Sequence, residues 1–188
     1  MNETSLILEK ATALLKNKGH ILIAIDGRCA AGKTMLAERL RELSNCAVIH
    51  IDDFFLRPEQ RTEQRYNEPG GNIDYERFSE EVIKPLLKNI PFAYKPYDCK
   101  TGGFSQPISV TPNKITIVEG SYSCHPVLWD NYDLRIFLTV DKEEQLRRIE
   151  SRNGKDSLAV FRKKWIPLEE RYFNAFDVEN RCDMLIKT

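Results

Sequence analysis

The sequence predicts an α/β fold of three layers, in which helices cover both faces of a parallel sheet. Two observations predict it. Apolar runs rich in β-branched residues, typical of parallel strands buried on both faces, occur at 21–25, 47–51, 115–118, 134–140 and, more weakly, 184–186. Helical periodicity alternates with these runs, and this alternation predicts right-handed crossovers between parallel strands.

Four segments carry apolar residues on one face of a helix. We expect the N-terminal segment, with Ile7 and Ala11, to pack on the domain. Pro85 should kink or end the helix that carries Phe78 and Val82. Pro167 suits the first turn of the helix that carries Tyr172 and Phe176. The shared faces are Ile7-Ala11-Leu14-Leu15, Leu36-Leu40-Leu43, Phe78-Val82-Leu86 and Leu168-Tyr172-Phe176.

Length and charge limit the classes of protein. The 188 residues fit a single domain, 1–188. Lys+Arg and Asp+Glu both number 28, whereas binders of double-stranded nucleic acid usually carry a basic excess, so we expect no nucleic-acid partner.

No apolar stretch is long enough for a membrane span, and the N-terminus does not resemble a signal peptide. The five cysteines are odd in number and widely spaced, which predicts reduced thiols in a cytoplasmic protein. The oligomeric state stays open, and a homo-oligomer is compatible with the sequence.

The strongest motif matches G-x-x-x-x-G-K-[ST], the phosphate-binding P-loop, between a predicted strand and a predicted helix. Its backbone N–H groups should point at phosphate oxygens, and the helix N-terminus adds positive potential. Lys33 should reach the β- and γ-phosphates and Thr34 should place its hydroxyl on Mg²⁺. Thiol pKa values fall near helix N-termini, so Cys29 is a candidate for oxidative inactivation. The predicted nucleotide-binding residues are Gly27, Arg28, Cys29, Ala30, Ala31, Gly32, Lys33 and Thr34.

Two carboxylates follow predicted strands. Asp52 ends the second strand and Glu119 the third, and ligands of α/β folds sit at the carboxyl ends of strands. Asp52 could accept or orient the hydroxyl of an acceptor. Glu119 could hold Mg²⁺ through a water. A GTPase is disfavoured, because the pair Asn113-Lys114 has Thr116 where N-K-x-D requires Asp.

A helix after the fourth strand, at about 142–157, is a candidate lid. Arg148 and Arg152 are four residues apart and share one face, from which they could offset charge on a transferring phosphoryl group. The alternative is a solvated charged helix. The segments 57–72 and 91–112 read as long loops that either form a wall of the acceptor site or merely connect elements at the surface.

With these residues identified, the chain resembles the uridine kinase-like P-loop kinases, a group that includes phosphoribulokinase and bacterial pantothenate kinase. The resemblance extends from about residue 21 to about residue 152. It is carried by the P-loop and by Asp52-Asp53-Phe54-Phe55, Pro96-Tyr97-Asp98 and Val118-Glu119-Gly120. Departures concentrate at the acceptor end, where Cys99 replaces a Phe and Gly102 stands where uridine kinases carry a base-contacting His.

The resemblance implies a P-loop fold with a five-stranded parallel sheet in the order 2-3-1-4-5 and a helical lid. It implies that Asp52 activates the acceptor hydroxyl and that Thr34 and Glu119 bind Mg²⁺. It places Arg148 and Arg152 on the lid, and together with Lys33 of the P-loop these two arginines would stabilise the transferring phosphoryl group. It also places Tyr97 and Asp98 near the acceptor. Phe55, which stands where the family usually has a Tyr, is a further candidate for binding the acceptor.

The sequence therefore predicts an Mg²⁺-dependent kinase that transfers the γ-phosphate of ATP to a hydroxyl of a small molecule, such as the nucleosides uridine and cytidine. Two alternatives stay open. One is a nucleotide-binding regulatory ATPase module. The other is a nucleoside monophosphate kinase, which would need arginines in the acceptor loops, and Arg57, Arg61 and Arg65 occur in one of them.

Overall fold

The computed structural model describes residues 2–188, and a parallel sheet forms its centre. Two segments that the sequence suggested were loops contain short elements: 91–112 holds short strands outside this sheet, and 57–72 holds a 3₁₀ turn, Pro58–Gln60, and an α-helix, Glu63–Asn67. The strands are β1 Ile21–Gly27, β2 Ala47–His50, β3 Phe92–Tyr94, β4 Tyr97–Asp98, β5 Gly103–Phe104, β6 Ile108–Val110, β7 Ile115–Glu119, β8 Leu134–Thr139 and β9 Met184–Lys187.

Helices surround the sheet and include two π-helical turns, Ser79–Ile83 and Phe161–Trp165, and two 3₁₀ turns, Ile51–Phe54 and Pro58–Gln60. None of the helices in residues 2–188 is both long and apolar enough to cross a bilayer. The α-helices are α1 Glu3–Leu15, α2 Lys33–Ser44, α3 Glu63–Asn67, α4 Tyr75–Phe78, α5 Lys84–Leu87, α6 Pro126–Trp129, α7 Lys142–Val160, α8 Ile166–Phe176 and α9 Val178–Arg181.

The five strands of the central sheet are parallel and lie in the order β2-β7-β1-β8-β9. Numbered among themselves in chain order, they run 2-3-1-4-5. The predicted fold class, an α/β P-loop fold with a five-stranded parallel sheet, is confirmed. Since β1, β2 and β7 are parallel neighbours, their carboxyl ends meet at one edge of the sheet, where His50 is the register partner of Glu119.

The core has one part on each face of the sheet. Leu22 and Ala24 of β1 belong to one cluster, and Ile21, Ile23 and Ile25 belong to the other. Alternate side chains of a strand point to opposite faces, so this division shows that both faces are covered, as the apolar runs predicted.

Two prolines lie in the first turn of an α-helix that directly follows a π turn, and for Pro167 this position is the one predicted. Pro85 was expected to kink or end its helix, and the helical backbone that begins at Tyr75 passes through the π turn Ser79–Ile83 and ends at Leu87, two residues after the proline. Pro167 likewise follows the π turn Phe161–Trp165, through which the backbone runs on from α7 into α8. A proline lacks the N–H that an α-helix needs at that position, and in both places a wider π turn ends two residues before the proline.

Candidate active site

A cavity of about 670 Å³ opens at the carboxyl ends of β1, β2 and β7. Apolar surface dominates its wall, with a few polar and charged groups, as in many small-molecule sites. The predicted site residues that line it are Cys29, Ala30, Gly32, Lys33, Thr34, Asp52, Phe55, Glu119, Arg148 and Arg152.

The P-loop joins β1 to α2, and its first glycine is required by close packing. Gly27 has φ +133°, and a Cβ there would lie 2.0 Å from the carbonyl oxygen of Leu138. Lys33 folds back over the loop, and its Nζ donates to the carbonyl oxygens of Gly27 (2.7 Å) and Arg28 (3.0 Å). These contacts hold an ammonium group at the helix N-terminus, which fits the loop to a phosphate chain.

The side chain of Arg28 ties the loop to the C-terminal helices instead of lining the cavity. Its Nε and Nη2 donate to the two carboxylate oxygens of Glu170 at 2.7 and 3.1 Å, and Nη1 donates to Glu179 at 2.9 Å. Gly27 and Ala31 are also absent from the cavity wall. The predicted nucleotide-binding set is thus divided: these three residues shape the loop, and the other five face the cavity.

Glu169 of α8 is a buried carboxylate at the P-loop that the sequence did not reveal. Its Oε2 accepts the N–H of Cys29 at 3.0 Å, and its Oε1 accepts the hydroxyl of Ser121 at 2.8 Å. The Ser121 hydroxyl in turn lies 3.2 Å from Lys33 Nζ. Nothing in the local sequence separates Glu169 from its neighbour Glu170, and only the orientation of the helix assigns the two residues to different partners.

The expectation that Cys29 has a reactive thiol is wrong. Burial raises the pKa of the Cys29 thiol far above its usual value, and the nearby charge of Glu169 raises it further. Gln145 of α7 also donates to both the carbonyl oxygen and the sulfur of Cys29, at 3.1 and 3.3 Å. Desolvation outweighs the effect of the helix N-terminus here, because the thiol packs inside the loop.

Asp52 lies in the 3₁₀ turn after β2, and its side chain is exposed to the cavity. The cavity walls desolvate the carboxyl group and raise its pKa from 3.8 to about 6, and Glu119 and Glu169 contribute to the increase while Lys33 opposes it. Gly120, φ +130°, leaves room for this group, since a Cβ there would lie 3.2 Å from Asp52 Oδ1.

Glu119 accepts two contacts on one oxygen. Thr34 Oγ1 donates to Glu119 Oε1 at 3.1 Å, and His50 Nδ1 lies 2.5 Å from the same atom. This bond to Glu119 raises the pKa of the His50 imidazole. The hydroxyl and carboxylate are hard oxygen donors that suit Mg²⁺. Among residues 2–188 no group of three or more His, Cys, Asp or Glu could hold a metal, so these two residues would share the ion with phosphate and water.

The candidate lid brings its two arginines to the cavity wall. Arg148 Nη1 donates to the carbonyl oxygen of Ala30 at 3.2 Å, and its Nε donates to Glu144 at 2.7 Å. Arg152 donates to Asn153. Within α7 the backbone departs from helical geometry at Gly154, with φ 82° and ψ 169°, which marks where the segment changes direction.

The acceptor side of the cavity differs from the prediction. Phe55 lines the wall, and its ring centroid lies 6.5 Å from that of Trp165. Tyr97 and Asp98 do not line it. Tyr97 is buried, and Asp98 accepts the backbone N–H of Lys100 and the hydroxyl of Thr101. The wall residues that the prediction omitted include Leu56, Arg61, Asn72 and Cys99.

The sequence matches a family model and two mammalian kinases. The family model described as an AAA domain matches residues 23–163. Nicotinamide riboside kinase 2 of Homo sapiens is 33% identical over 143 residues, which cover 71% of this chain and 58% of that protein. The Mus musculus protein of the same name is 32% identical over 137 residues, covering 70% of this chain and 68% of that protein.

The fold has a structural counterpart as well. A possible uridine kinase from Bacillus stearothermophilus superposes with a TM-score of 0.67 at 18% identity, covering 96% of this chain and 98% of that chain. The similarity at this identity concerns the fold. The chain belongs to the family described as an AAA domain, and its relatives at 30% identity or more include the nicotinamide riboside kinases.

Proposed function

We propose that this protein transfers the γ-phosphate of ATP to a hydroxyl group of a small molecule. The observation that carries the proposal is that Asp52 and the P-loop lysine Lys33 face one cavity. Phosphoryl transfer depends mainly on positioning and on electrostatic stabilisation, and a carboxylate and an ammonium group around one cavity provide both.

Each group has a distinct task. Lys33 and the loop amides bind the β- and γ-phosphates, while Arg148 and Arg152 offset the charge that develops on the transferring group. Asp52 accepts a hydrogen bond from the acceptor hydroxyl, which suffices because the loose transition state requires little early proton removal. Mg²⁺, bound between Thr34 and Glu119, would neutralise charge on the phosphates.

A nucleoside such as uridine or cytidine is the proposed acceptor. The two mammalian relatives are named for a nucleoside substrate. Aromatic side chains on the cavity wall, Phe55, Phe161 and Trp165, can pack on a planar base. The regulatory ATPase alternative does not explain why Asp52 faces the same cavity as the P-loop.

The test is Asp52→Asn, which keeps the shape of the side chain and removes its charge. We expect turnover, followed as ADP release with a panel of nucleosides, to fall roughly 10²–10⁴-fold, while ATP affinity measured by calorimetry changes little. Asp53→Asn is the matched control, because Asp53 accepts the Tyr94 hydroxyl at 2.8 Å and does not line the cavity. Turnover of D52N at the wild-type rate would refute the role of Asp52.

A further inference from the structure

Two cysteines that lie outside the cavity have their sulfur atoms in contact. Cys124, in the turn that follows β7, and Cys182, which follows α9, have their sulfurs 4.0 Å apart although 58 positions separate them in the chain. Neither residue lines the cavity, so the pair is separate from the site described above. Both thiols are free.

The two thiols differ in their access to solvent. Cys182 is half-buried, whereas Cys124 is fully buried in the core. Burial raises the pKa of the Cys124 thiol well above its usual value, which keeps this thiol protonated and inert toward oxidants by itself. An oxidant from solvent therefore reacts first at Cys182, and Cys124 is the neighbouring thiol that can attack the product.

Cys124 is connected to the start of the P-loop through one carboxylate. Its backbone N–H donates to Asp26 Oδ2 at 2.8 Å. The other oxygen of the same group, Oδ1, accepts the N–H of Gly27, the first residue of the P-loop, at 2.6 Å. Asp26 is itself fully buried, so a displacement of Cys124 acts directly on the acceptor of the Gly27 N–H.

Cys182 is connected to the same loop by a second route. Its N–H donates to the carbonyl oxygen of Val178 at 3.2 Å, at the end of the short helix α9. The same helix carries Glu179, whose carboxylate accepts Nη1 of Arg28 in the P-loop at 2.9 Å. A displacement of Cys182 therefore moves α9 and, with it, a partner of Arg28.

A bond between the two sulfurs requires such a displacement. A disulfide is about 2.05 Å long, so sulfurs that lie 4.0 Å apart must approach by about 2 Å. Because the core around Cys124 is close-packed, we expect the backbone of α9 or of the turn after β7 to take up part of this approach. Whichever segment moves, the change reaches the P-loop.

We propose that Cys124 and Cys182 are an oxidation site, which forms a reversible disulfide when the protein meets a peroxide, and that this bond loosens the P-loop. The inference goes beyond the proposed kinase function and does not depend on it. The cavity stays open in the oxidised protein, and the loop that binds phosphate is what changes.

The oxidation takes two balanced steps. The sulfur of Cys182 attacks one oxygen of hydrogen peroxide, the O–O bond breaks, and water leaves, so the thiol becomes a sulfenic acid. The sulfur of Cys124 then attacks the sulfur of Cys182, the S–O bond breaks, and a second water leaves with the proton of Cys124. Two thiols and one peroxide thus give one disulfide and two waters, and a dithiol reductant reverses the change.

Mass spectrometry of a tryptic digest tests the bond itself. After treatment with hydrogen peroxide, and without reductant, we expect the peptides 115–135 and 182–187 to be joined through Cys124 and Cys182, and to separate in dithiothreitol. Cys182→Ser should abolish the joined product. This variant is also the matched control, because it keeps the exposed thiol of Cys99. Absence of the joined peptides at a peroxide concentration that oxidises Cys99 would overturn the proposal.

Hydrogen exchange tests the effect on the P-loop without any nucleotide. We expect the amides of residues 27–34 to exchange about tenfold faster in the disulfide form, as for the loss of about one hydrogen bond, and to recover in dithiothreitol. Peroxide-treated C182S should show no such change. ATP affinity, measured by calorimetry, should fall by a similar factor in the oxidised wild type.

The outcomes separate this inference from the proposed function. A joined product with unchanged exchange at 27–34 would overturn the effect on the P-loop. The same acceleration in C182S would assign it to another oxidised residue and would also overturn the inference. A reduced protein that binds no ATP would count against the kinase function, and the exchange measurement would still decide whether the disulfide loosens the loop.

Discussion

The two ends of the cavity are built differently. At the phosphate end, Arg28 donates to Glu170, Thr139 and Glu179, and both backbone groups of Cys29 are bonded to helices of the C-terminal half. At the acceptor end Leu56, Asn72 and Cys99 come from segments between helices and strands, while Phe161 and Trp165 come from the π turn Phe161–Trp165. The hairpin of β4 and β5, which carries Cys99, has two residues in each strand.

This difference corresponds to what each end must recognise. A triphosphate is the same ligand for every P-loop protein, so backbone amides and a fixed lysine can be held in advance by many bonds. An acceptor differs from one kinase to the next, and variable side chains on loops provide the discrimination. The comparison predicts that changes at the phosphate end affect folding and catalysis together, while changes at the acceptor end affect mainly the choice of substrate.

The largest expected effect in this comparison is at Glu169. Glu169→Ala would leave the Cys29 N–H and the Ser121 hydroxyl without their acceptor inside the protein, and we expect the free energy of unfolding to fall by about 1–3 kcal/mol in urea titrations. Glu169→Gln retains an acceptor oxygen and should lose less than half of that. If E169A is as stable as the wild type, the phosphate end does not owe its rigidity to this carboxylate.

The pH dependence of kcat/KM tests the role of Asp52, whose side chain faces the cavity together with the P-loop. The pKa of Asp52 is raised to about 6, so the group is ionised above that pH and protonated below it. We expect kcat/KM to decline about tenfold per pH unit below pH 6, whereas a carboxyl group at its ordinary pKa would hold activity to about pH 4.

Asp26 is a second carboxyl group whose titration falls in the same pH range as that of Asp52. Burial raises its pKa to about 6 as well, although it accepts bonds from Gly27, Tyr122, Cys124 and Tyr172. The residual activity of D52N reports this structural titration, because Asp26 is unchanged there. A decline of the same steepness in D52N would assign the pH effect to Asp26 and not to Asp52.

The smallest effect is expected at Tyr97. Its hydroxyl is buried without a hydrogen-bond partner among residues 2–188, and the residue does not line the cavity. Tyr97→Phe should therefore leave the KM of the acceptor within twofold and the stability within about 0.5 kcal/mol. A large increase in that KM would show that Tyr97 contacts the acceptor, as the family resemblance implied, and that the acceptor end closes on its ligand.

The sequence by itself determined the sheet and the phosphate end. Apolar runs marked all five central strands, because parallel strands covered on both faces need little else, and the P-loop motif located Lys33 and Thr34 because its chemistry resides in consecutive residues. Asp52 and Glu119 were also identified, since their position directly after a strand brings them to the same edge.

Only the tertiary structure decided which side chains complete the cavity. Glu169, Arg61 and Asn72 lie in segments without a motif, and each reaches the wall because distant segments pack together. The same packing raised the pKa of Cys29, which local context would have lowered, and removed Tyr97 and Asp98 from the wall. Contacts between residues far apart in the chain depend on the packing of the whole domain, and no local pattern records them.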